Sequence, residues 1–136
     1  LDIGCGSGYS TALLSRLVFT VFGIDSDNAL VQQASANLAA LAVDNAVIAA
    51  RPMEAGWPEH KPFDIILIGG AVEVVPSELL DQLGEGGRLV AVVADKHPAG
   101  TARLFRTIGG QISSRPLFDA GCRMLPGFRK PQQFVF

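Results

Sequence analysis

Three glycines at alternate positions stand near the start of the chain, in the stretch Leu1-Asp2-Ile3-Gly4-Cys5-Gly6-Ser7-Gly8-Tyr9. Glycine adopts backbone conformations that are costly for other residues, and it lets a ligand approach the main chain closely. Apolar residues around Asp2 predict the end of a buried strand, and a helical pattern begins at Tyr9. A glycine turn between a strand and the unpaired N–H groups of a helix N-terminus is typical of nucleotide-binding sites.

The spacing of these glycines separates two kinds of nucleotide site. A dinucleotide-binding fingerprint, G-x-G-x-x-G, would need its third glycine at position 9, which is Tyr9. A nicotinamide oxidoreductase is therefore disfavoured. The pattern from Asp2 to Gly8 is D-x-G-x-G-x-G instead, and it resembles motif I of class I S-adenosylmethionine-dependent methyltransferases. The resemblance implies a loop that wraps the methionine end and the ribose of that cofactor.

A second acidic residue follows the next predicted strand. Residues 20–25 form an apolar run that ends in Asp25, where a nucleotide-binding fold places the carboxylate that accepts hydrogen bonds from ribose hydroxyls. Asp25 is therefore the strongest single candidate for a ligand contact. It could instead cap the following helix, a role that Ser26 or Asp27 could also fill, and the two roles of Asp25 are compatible.

The elements that must position these residues alternate between strands and helices. Strands are predicted at the start of the chain and at 20–25, 46–50, 63–70 and 88–94. Helices are predicted at 9–17, at 29–41 and from 76–78 through 83, with Ser77 as an N-cap or Pro76 in the first turn of the last helix, which 84–87 ends. The first helix should bury Ala12, Leu13 and Leu17, and the second Leu30, Ala34, Leu38 and Leu41. This alternation predicts an α/β fold with a doubly wound, mostly parallel sheet. The tail predicts an antiparallel edge hairpin at 101–108 and 111–117, followed by a last edge strand at 133–136.

Length and composition fit one domain with a substantial core, because the chain has 136 residues and 49% of them are hydrophobic. The net charge is only −2, and the acidic and basic residues are spread along the chain. Both observations argue against binding to a nucleic acid or to an anionic membrane surface. The sequence contains no bilayer-spanning apolar run and no signal peptide, so we expect a cytoplasmic protein. Cys5 and Cys122 are far apart in the sequence, and we expect them to be reduced packing residues rather than a disulfide. No metal cluster is recognised. We expect a single domain, residues 1–136. Because the chain lacks an initiator Met, we expect this domain to be truncated at its N-terminus.

Two further stretches make the resemblance more specific. They are Pro62-Phe63-Asp64-Ile65-Ile66-Leu67-Ile68-Gly69-Gly70-Ala71 and Val75-Pro76-Ser77-Glu78-Leu79-Leu80-Asp81-Gln82-Leu83-Gly84-Glu85-Gly86-Gly87-Arg88-Leu89-Val90. The pattern Pro-x-x-Leu-x-Asp-Gln-Leu-x-x-Gly-Gly in the second is the most distinctive. With these stretches the chain resembles the protein-L-isoaspartate O-methyltransferase family, well over residues 1 to about 94 and weakly in the tail.

The resemblance implies a Rossmann-like class I methyltransferase that moves a methyl group from S-adenosylmethionine to isoaspartyl carboxylates in damaged proteins. Its partner would be an isoaspartyl-containing protein or peptide. A carboxylate is already ionised near neutral pH, so positioning should supply most of the rate, and no catalytic residue is assigned. His60 and His97 are interpreted as solvated loop residues. The cofactor-binding residues implied are Asp2, Gly4, Cys5, Gly6, Ser7, Gly8, Asp25, Ser26, Met53, Glu54 and Gly69.

The sequence departs from the family pattern at three places. In the family, the aspartate of a Gly-Asp-Gly contacts the adenine, and Arg51-Pro52-Met53 stands at that place here. Contact with the adenine would therefore have to come from Glu54 or from the apolar side chain of Met53. The loop after the fourth strand carries Glu73, whose charge would either weaken the binding of a substrate carboxylate or face solvent. The family's isoaspartyl-binding segment, upstream of motif I, is absent from this chain.

Two other functions stay open. One keeps the fold and cofactor but changes the methyl acceptor, with Glu73 as a general base toward a hydroxyl or an amine. The other is a catalytically inactive module for cofactor binding or protein interaction, which the missing adenine-contacting aspartate favours. The intact glycines and Asp25 argue against the inactive module.

Overall fold

The computed structural model describes residues 1–94 and 99–130. Within them, seven strands form one sheet in the order β3-β2-β1-β4-β5-β6-β7. Their bounds are β1 Asp2–Ile3, β2 Val21–Asp25, β3 Ala46–Ala50, β4 Phe63–Val72, β5 Leu83–Val93, β6 Gly100–Ile108 and β7 Gln111–Ala120. Strands β1 to β5 pair in parallel, and β5 to β7 pair antiparallel. The predicted α/β fold, doubly wound with an antiparallel edge hairpin, is confirmed.

Three α-helices and two 3-10 turns connect the strands in the described ranges. They are α1 Tyr9–Ser15, α2 Asn28–Ala40 and α3 Ser77–Leu80, with the 3-10 turns at Met53–Ala55 and Pro58–His60. No helix within these ranges is both long and apolar enough to cross a membrane. The predicted strand at 133–136 and the predicted loop position of His97 lie outside the described residues.

Helix α1 buries a polar residue where an apolar face was predicted. Leu13 is 51% exposed and Leu17, beyond the end of the helix, is 79% exposed, whereas Thr11 is completely buried. The reason is a carboxylate underneath, since the Thr11 hydroxyl donates a hydrogen bond of 2.7 Å to Asp2. The prediction that Leu13 and Leu17 are buried is wrong.

Helix α2 follows its predicted pattern more closely. Ala34 and Leu38 are buried as expected, but Val31 is buried in place of Leu30. Leu41 was also predicted to be buried, yet it is 60% exposed because the helix ends one residue earlier.

Strand β5 begins earlier than predicted, because the glycine-rich stretch 84–87 belongs to the strand. Helix α3 ends at Leu80, and Leu83 already pairs with Phe63 of β4. The register then shifts so that Arg88 pairs with Ile65. Gly86 supplies a positive φ of 74° in this irregular part, as expected where a strand bulges. The prediction that this stretch only ends a helix is wrong.

The main core joins the central strands to α3, to the 3-10 turns and to the segment after β7. Its fully or nearly fully buried members include Ile3, Ile24, Met53, Ile66, Leu79, Leu89 and Phe128. Phe128 is 1% exposed although it lies outside every helix and strand. This side chain therefore helps to anchor the segment after β7 to the rest of the protein.

Replacing Phe128 by alanine should lower the free energy of unfolding by about 3–5 kcal/mol, the usual effect of removing a buried aromatic ring. Phe118 of β7 is a matched control, since it is 64% exposed and its replacement should change stability by less than about 0.5 kcal/mol. Urea denaturation of both variants measures the difference. Equal effects would contradict the core position of Phe128.

Candidate cofactor site

The three glycines of the loop between β1 and α1 all have left-handed backbone conformations. Their φ angles are 77° at Gly4, 54° at Gly6 and 95° at Gly8. Gly8 precedes α1, and a β-carbon there would lie 3.2 Å from the Cα of Ala34, so α2 approaches the loop closely. A β-carbon on Gly6 would meet no atom within 4 Å. The loop is thus packed against α2 at one end and open to a ligand at Gly6.

Asp25 ties this loop to the end of β2. Its side chain is 7% exposed, and its Oδ2 accepts a hydrogen bond of 3.0 Å from the backbone N–H of Gly6. Its Oδ1 accepts one of 3.0 Å from the N–H of Asp27. Each carboxylate oxygen has a second lone pair. Asp25 can therefore hold the glycine loop and still accept hydrogen bonds from a ligand.

The helix-capping role falls to Asp27. Its Oδ1 accepts hydrogen bonds of 2.9 Å from the N–H of Ala29 and 3.4 Å from the N–H of Leu30. Of the three capping residues considered from the sequence, Asp27 is thus the one that the structure selects. Asp25 therefore does not cap the helix, and its carboxylate remains available to a ligand at the carboxyl edge of the sheet.

Asp2 is completely buried and turns toward α1. Its Oδ2 accepts hydrogen bonds of 2.7 Å from both the Ser10 and the Thr11 hydroxyls. Its Oδ1 is buried without a partner among the described residues. A buried acceptor without a donor is unfavourable, so a donor group on a bound ligand would stabilise it. Asp2 therefore fixes the helix that follows the loop and fits a ligand that carries a hydrogen-bond donor.

Cys5 lies inside the loop as a neutral thiol. It is 4% exposed, and burial, followed by the negative charges of Asp2 and Asp25, raises the pKa of Cys5 to about 12. Cys122, by contrast, is exposed, and both cysteines are free. The packing role predicted for Cys5 fits this environment, whereas Cys122 does not pack in the core.

We expect a thiol reagent such as iodoacetamide to modify Cys122 and to leave Cys5 unmodified between pH 7 and pH 9. The thiolate is the reactive form, and a pKa of about 12 keeps Cys5 protonated throughout that range. Peptide mass spectrometry with and without denaturant measures the difference, because both cysteines should react in the unfolded chain. Labelling of Cys5 in the folded protein would contradict this picture.

The remaining predicted loop contacts lie around the same edge. Ser7 is exposed, and its carbonyl oxygen accepts a hydrogen bond of 2.9 Å from the side-chain amide of Asn37. A β-carbon on Gly69 would lie 3.2 Å from the carbonyl oxygen of Gly4. Gly69 thus lets the end of β4 lie directly against the glycine loop.

A cleft of about 400 Å³ opens at the carboxyl ends of β2 and β3. This volume lies in the usual range for small-molecule sites. Among the predicted residues, Ser26 and Glu54 line it. Met53 does not, because it is 2% exposed and packs into the core. The full lining is Ser26, Ala50, Arg51, Pro52, Glu54, Pro126 and Gly127.

Two parts of this cleft were missed from the sequence. Arg51 is held at its edge by an ion pair of 3.0 Å with Glu59, and its guanidinium lies 5.1 Å from the centre of the Trp57 ring. The other part is the turn at Pro126 and Gly127, where a φ of 91° at Gly127 brings the tail against the Glu54 carboxylate. The Pro-Gly pair was the available signal for that turn.

A second cavity, of about 260 Å³, lies at the amino ends of β2 and β4 and is mainly apolar. Phe19, Val21 and Phe63 contribute to its lining. In open α/β sheets, small ligands bind beyond the carboxyl ends of the strands. The cleft beside Asp25 is therefore the candidate cofactor site. Among the described residues, no cluster of His, Cys, Asp or Glu could hold a metal ion.

Comparison with known sequences agrees with this geometry. The family model described as protein-L-isoaspartate(D-aspartate) O-methyltransferase matches residues 1–119. The protein-L-isoaspartate O-methyltransferase of Chromohalobacter salexigens is 44% identical over 95 residues, which cover 70% of this chain and 42% of that protein. The enzyme of the same name from Aeromonas salmonicida is 42% identical over 117 residues, covering 86% and 56%. The chain spans about half the length of these curated relatives.

Solved structures give the same result. One protein-L-isoaspartate O-methyltransferase superposes with a TM-score of 0.86 at 26% identity, covering 93% of this chain and 41% of that one. A Plasmodium falciparum candidate for this activity, in complex with S-adenosyl-L-homocysteine, gives a TM-score of 0.77 at 25% identity, covering 91% and 63%. Together with the family model, which covers most of the chain, these matches show that the chain belongs to the protein-L-isoaspartate O-methyltransferase family.

Proposed function

We propose that the whole protein transfers a methyl group from S-adenosylmethionine to isoaspartyl carboxylates of damaged proteins, and that this chain is its cofactor-binding domain. The observation that carries the proposal is the hydrogen bond between Asp25 and Gly6 at the carboxyl edge of the sheet. It joins an acceptor suited to ribose hydroxyls to a glycine loop whose backbone is open at Gly6. Support also comes from the relatives, whose names carry this activity.

The residues present fit the cofactor. Asp25 would accept the ribose hydroxyls, and the backbone around Gly6 would lie against the methionine end. Ser26, which follows Asp25 in the chain, and Glu54 line the cleft, so they would border the adenine. The buried and unpartnered Oδ1 of Asp2 would gain a donor from the cofactor or from a water molecule between them. Of the solved neighbours, the Plasmodium falciparum protein is in complex with S-adenosyl-L-homocysteine.

The main task of these residues in the reaction is to position the reacting groups. S-adenosylmethionine, when bound, supplies a methyl group already activated by its sulfonium. The acceptor carboxylate is ionised near neutral pH and needs no general base. Holding two reacting groups in line supplies a large part of the rate in such cases. The short, buried hydrogen bonds that fix Asp2 and Asp25 are suited to that task.

The proposed partner is a protein or peptide with an isoaspartyl residue, and the proposed location is the cytoplasm. The free Cys5 and Cys122 fit a reducing compartment, where disulfides are rare. A different acceptor activated by Glu73 has less support, since the Glu73 carboxylate already accepts a hydrogen bond of 2.7 Å from the backbone N–H of Lys130.

The test is methyl transfer to two peptides of identical sequence, one with an isoaspartyl residue and one with normal aspartate. We expect the full-length protein, supplied with labelled S-adenosylmethionine, to methylate the isoaspartyl peptide at least about 100-fold faster, the discrimination that polar recognition readily provides. Equal labelling of both peptides would point to another acceptor. Cofactor binding without labelling of either would contradict the proposed substrate.

A further inference from the structure

The end of β4 pairs with the tail of the chain. Strand β1 ends at Ile3, where the glycine loop turns away, but its neighbour β4 continues beyond that point. The N–H of Ala71 donates a hydrogen bond of 2.8 Å to the carbonyl oxygen of Arg123, and the N–H of Leu125 donates one of 2.9 Å to the oxygen of Ala71. Residues 123–130, here named the tail strap, thus occupy the place beside β4 that β1 leaves.

The tail strap lies against the candidate cofactor site. A β-carbon on Gly4 would lie 3.1 Å from Cδ1 of Leu125, and one on Gly70 would lie 2.6 Å from Cγ of Leu125. Further along the strap, Pro126 and Gly127 line the cleft beside Asp25. The strap is therefore one wall of that cleft, although it is distant in sequence from the other lining residues.

Glu73 fastens the far end of the strap. The backbone N–H of Glu73 donates a hydrogen bond of 3.1 Å to the carbonyl oxygen of Phe128. Its Oε2 accepts one of 2.7 Å from the backbone N–H of Lys130. A hydrogen bond to a charged acceptor is stronger than one between neutral groups. Glu73 and the buried ring of Phe128 together fix the strap after its turn at Gly127.

We propose that Glu73 is a positioning residue for cofactor binding, acting through the tail strap without touching the cofactor. Its carboxylate holds the Lys130 amide, so that Pro126 and Gly127 stay at the cleft. The inference rests on the proposed function, since its effect is measured on the cofactor. In this role, the negative charge of Glu73 strengthens the hydrogen bond that holds the tail strap. Glu73 then acts neither as a general base nor as a group that repels the substrate.

The test compares three variants of the full-length protein by calorimetric titration with S-adenosylhomocysteine. Glu73→Ala should weaken binding severalfold, up to about tenfold, because a strap that has lost this hydrogen bond leaves the cleft wall incomplete part of the time and lowers the fraction of the protein that is competent to bind. Glu73→Gln should stay within about threefold of the unsubstituted protein, because an amide oxygen still accepts from the Lys130 N–H. Glu85→Ala is the matched control, since Glu85 accepts a 2.7 Å hydrogen bond from the N–H of Gly109 in the distant hairpin. The affinity of this variant for S-adenosylhomocysteine should be unchanged.

Methylation kinetics separate the proposal from the other roles of Glu73. Positioning predicts that Glu73→Ala raises KM for S-adenosylmethionine and that Glu73→Gln restores it. A general base would make both variants equally slow in kcat at unchanged cofactor affinity. A repulsive charge would make both variants bind the isoaspartyl peptide more tightly. Either of these two results would overturn the proposal.

Hydrogen exchange of the protein without cofactor tests the anchoring by itself. In Glu73→Ala, the amide of Lys130 should exchange at least about tenfold faster, because its acceptor is gone. Unchanged exchange would show that Glu73 does not hold the strap. If the unsubstituted protein bound no cofactor, both the proposed function and this role of Glu73 would be wrong. If it bound and Glu73→Ala bound equally well, only the role of Glu73 would be wrong.

Discussion

Replacing Asp25 by alanine should weaken S-adenosylhomocysteine binding tenfold or more, a loss of about 1.4 kcal/mol or above. The variant loses the carboxylate proposed to accept the ribose hydroxyls. It also frees the N–H groups of Gly6 and Asp27, which Asp25 now holds at 3.0 Å each. Calorimetric titration of the full-length protein measures the change in affinity.

The neighbouring Asp27 provides the matched control for this experiment. Asp27→Ala removes the cap of α2 and should lower the free energy of unfolding by about 1 kcal/mol. Its cofactor affinity should stay within about twofold of the unsubstituted protein, since its side chain faces the helix N-terminus. Asp25→Ala with unchanged affinity would rule out the ribose assignment.

Gly6→Ala should impair cofactor binding in addition to lowering stability. At a φ of 54°, a β-carbon strains the backbone, which costs about 1–2 kcal/mol of stability. The added methyl group meets no protein atom within 4 Å, so it projects into the space proposed for the cofactor. We expect affinity to fall about thirtyfold or more, equivalent to about 2 kcal/mol.

Gly86 separates backbone strain from the blocking of a ligand. It has a φ of 74°, and a β-carbon there also meets nothing within 4 Å. However, it lies near the start of β5, whereas the glycine loop follows the end of the parallel strand β1, with β4 between them. Gly86→Ala should therefore cost a similar amount of stability and leave cofactor affinity unchanged. Equal affinity in the Gly6 and Gly86 variants would contradict a ligand at Gly6.

The layout of the sheet could be predicted from the sequence because it depends on local signals. Short apolar runs predicted β2 and β3 within one residue, and Gly109-Gly110 predicted the hairpin of β6 and β7. The stretch 84–87 was misread because glycines mark both helix ends and strand bulges. Only the pairing of Leu83 with Phe63 distinguishes the two, and that contact is between strands.

The details of the site depended on contacts that no local pattern carries. Asp2 and Asp25 could be proposed because each ends a strand before a turn, yet nothing nearby in sequence indicates that Thr11 is buried to satisfy Asp2. Glu73 was interpreted from its charge alone, since its partner at Lys130 lies 57 residues away. The turn at Pro126 and Gly127 has a local signal, but its position at the wall of the cleft could not be predicted for the same reason.

The central claim is that S-adenosylmethionine binds at the carboxyl edge of the sheet, between the glycine loop and the cleft beside Asp25. A crystal structure of the full-length protein with S-adenosylhomocysteine tests it most directly. We expect both ribose hydroxyls within hydrogen-bonding distance of the Asp25 carboxylate, at about 2.5–3.0 Å, and the adenine between Ser26 and Glu54. A cofactor bound away from Asp25, or in the apolar cavity at the amino ends of the strands, would contradict the account.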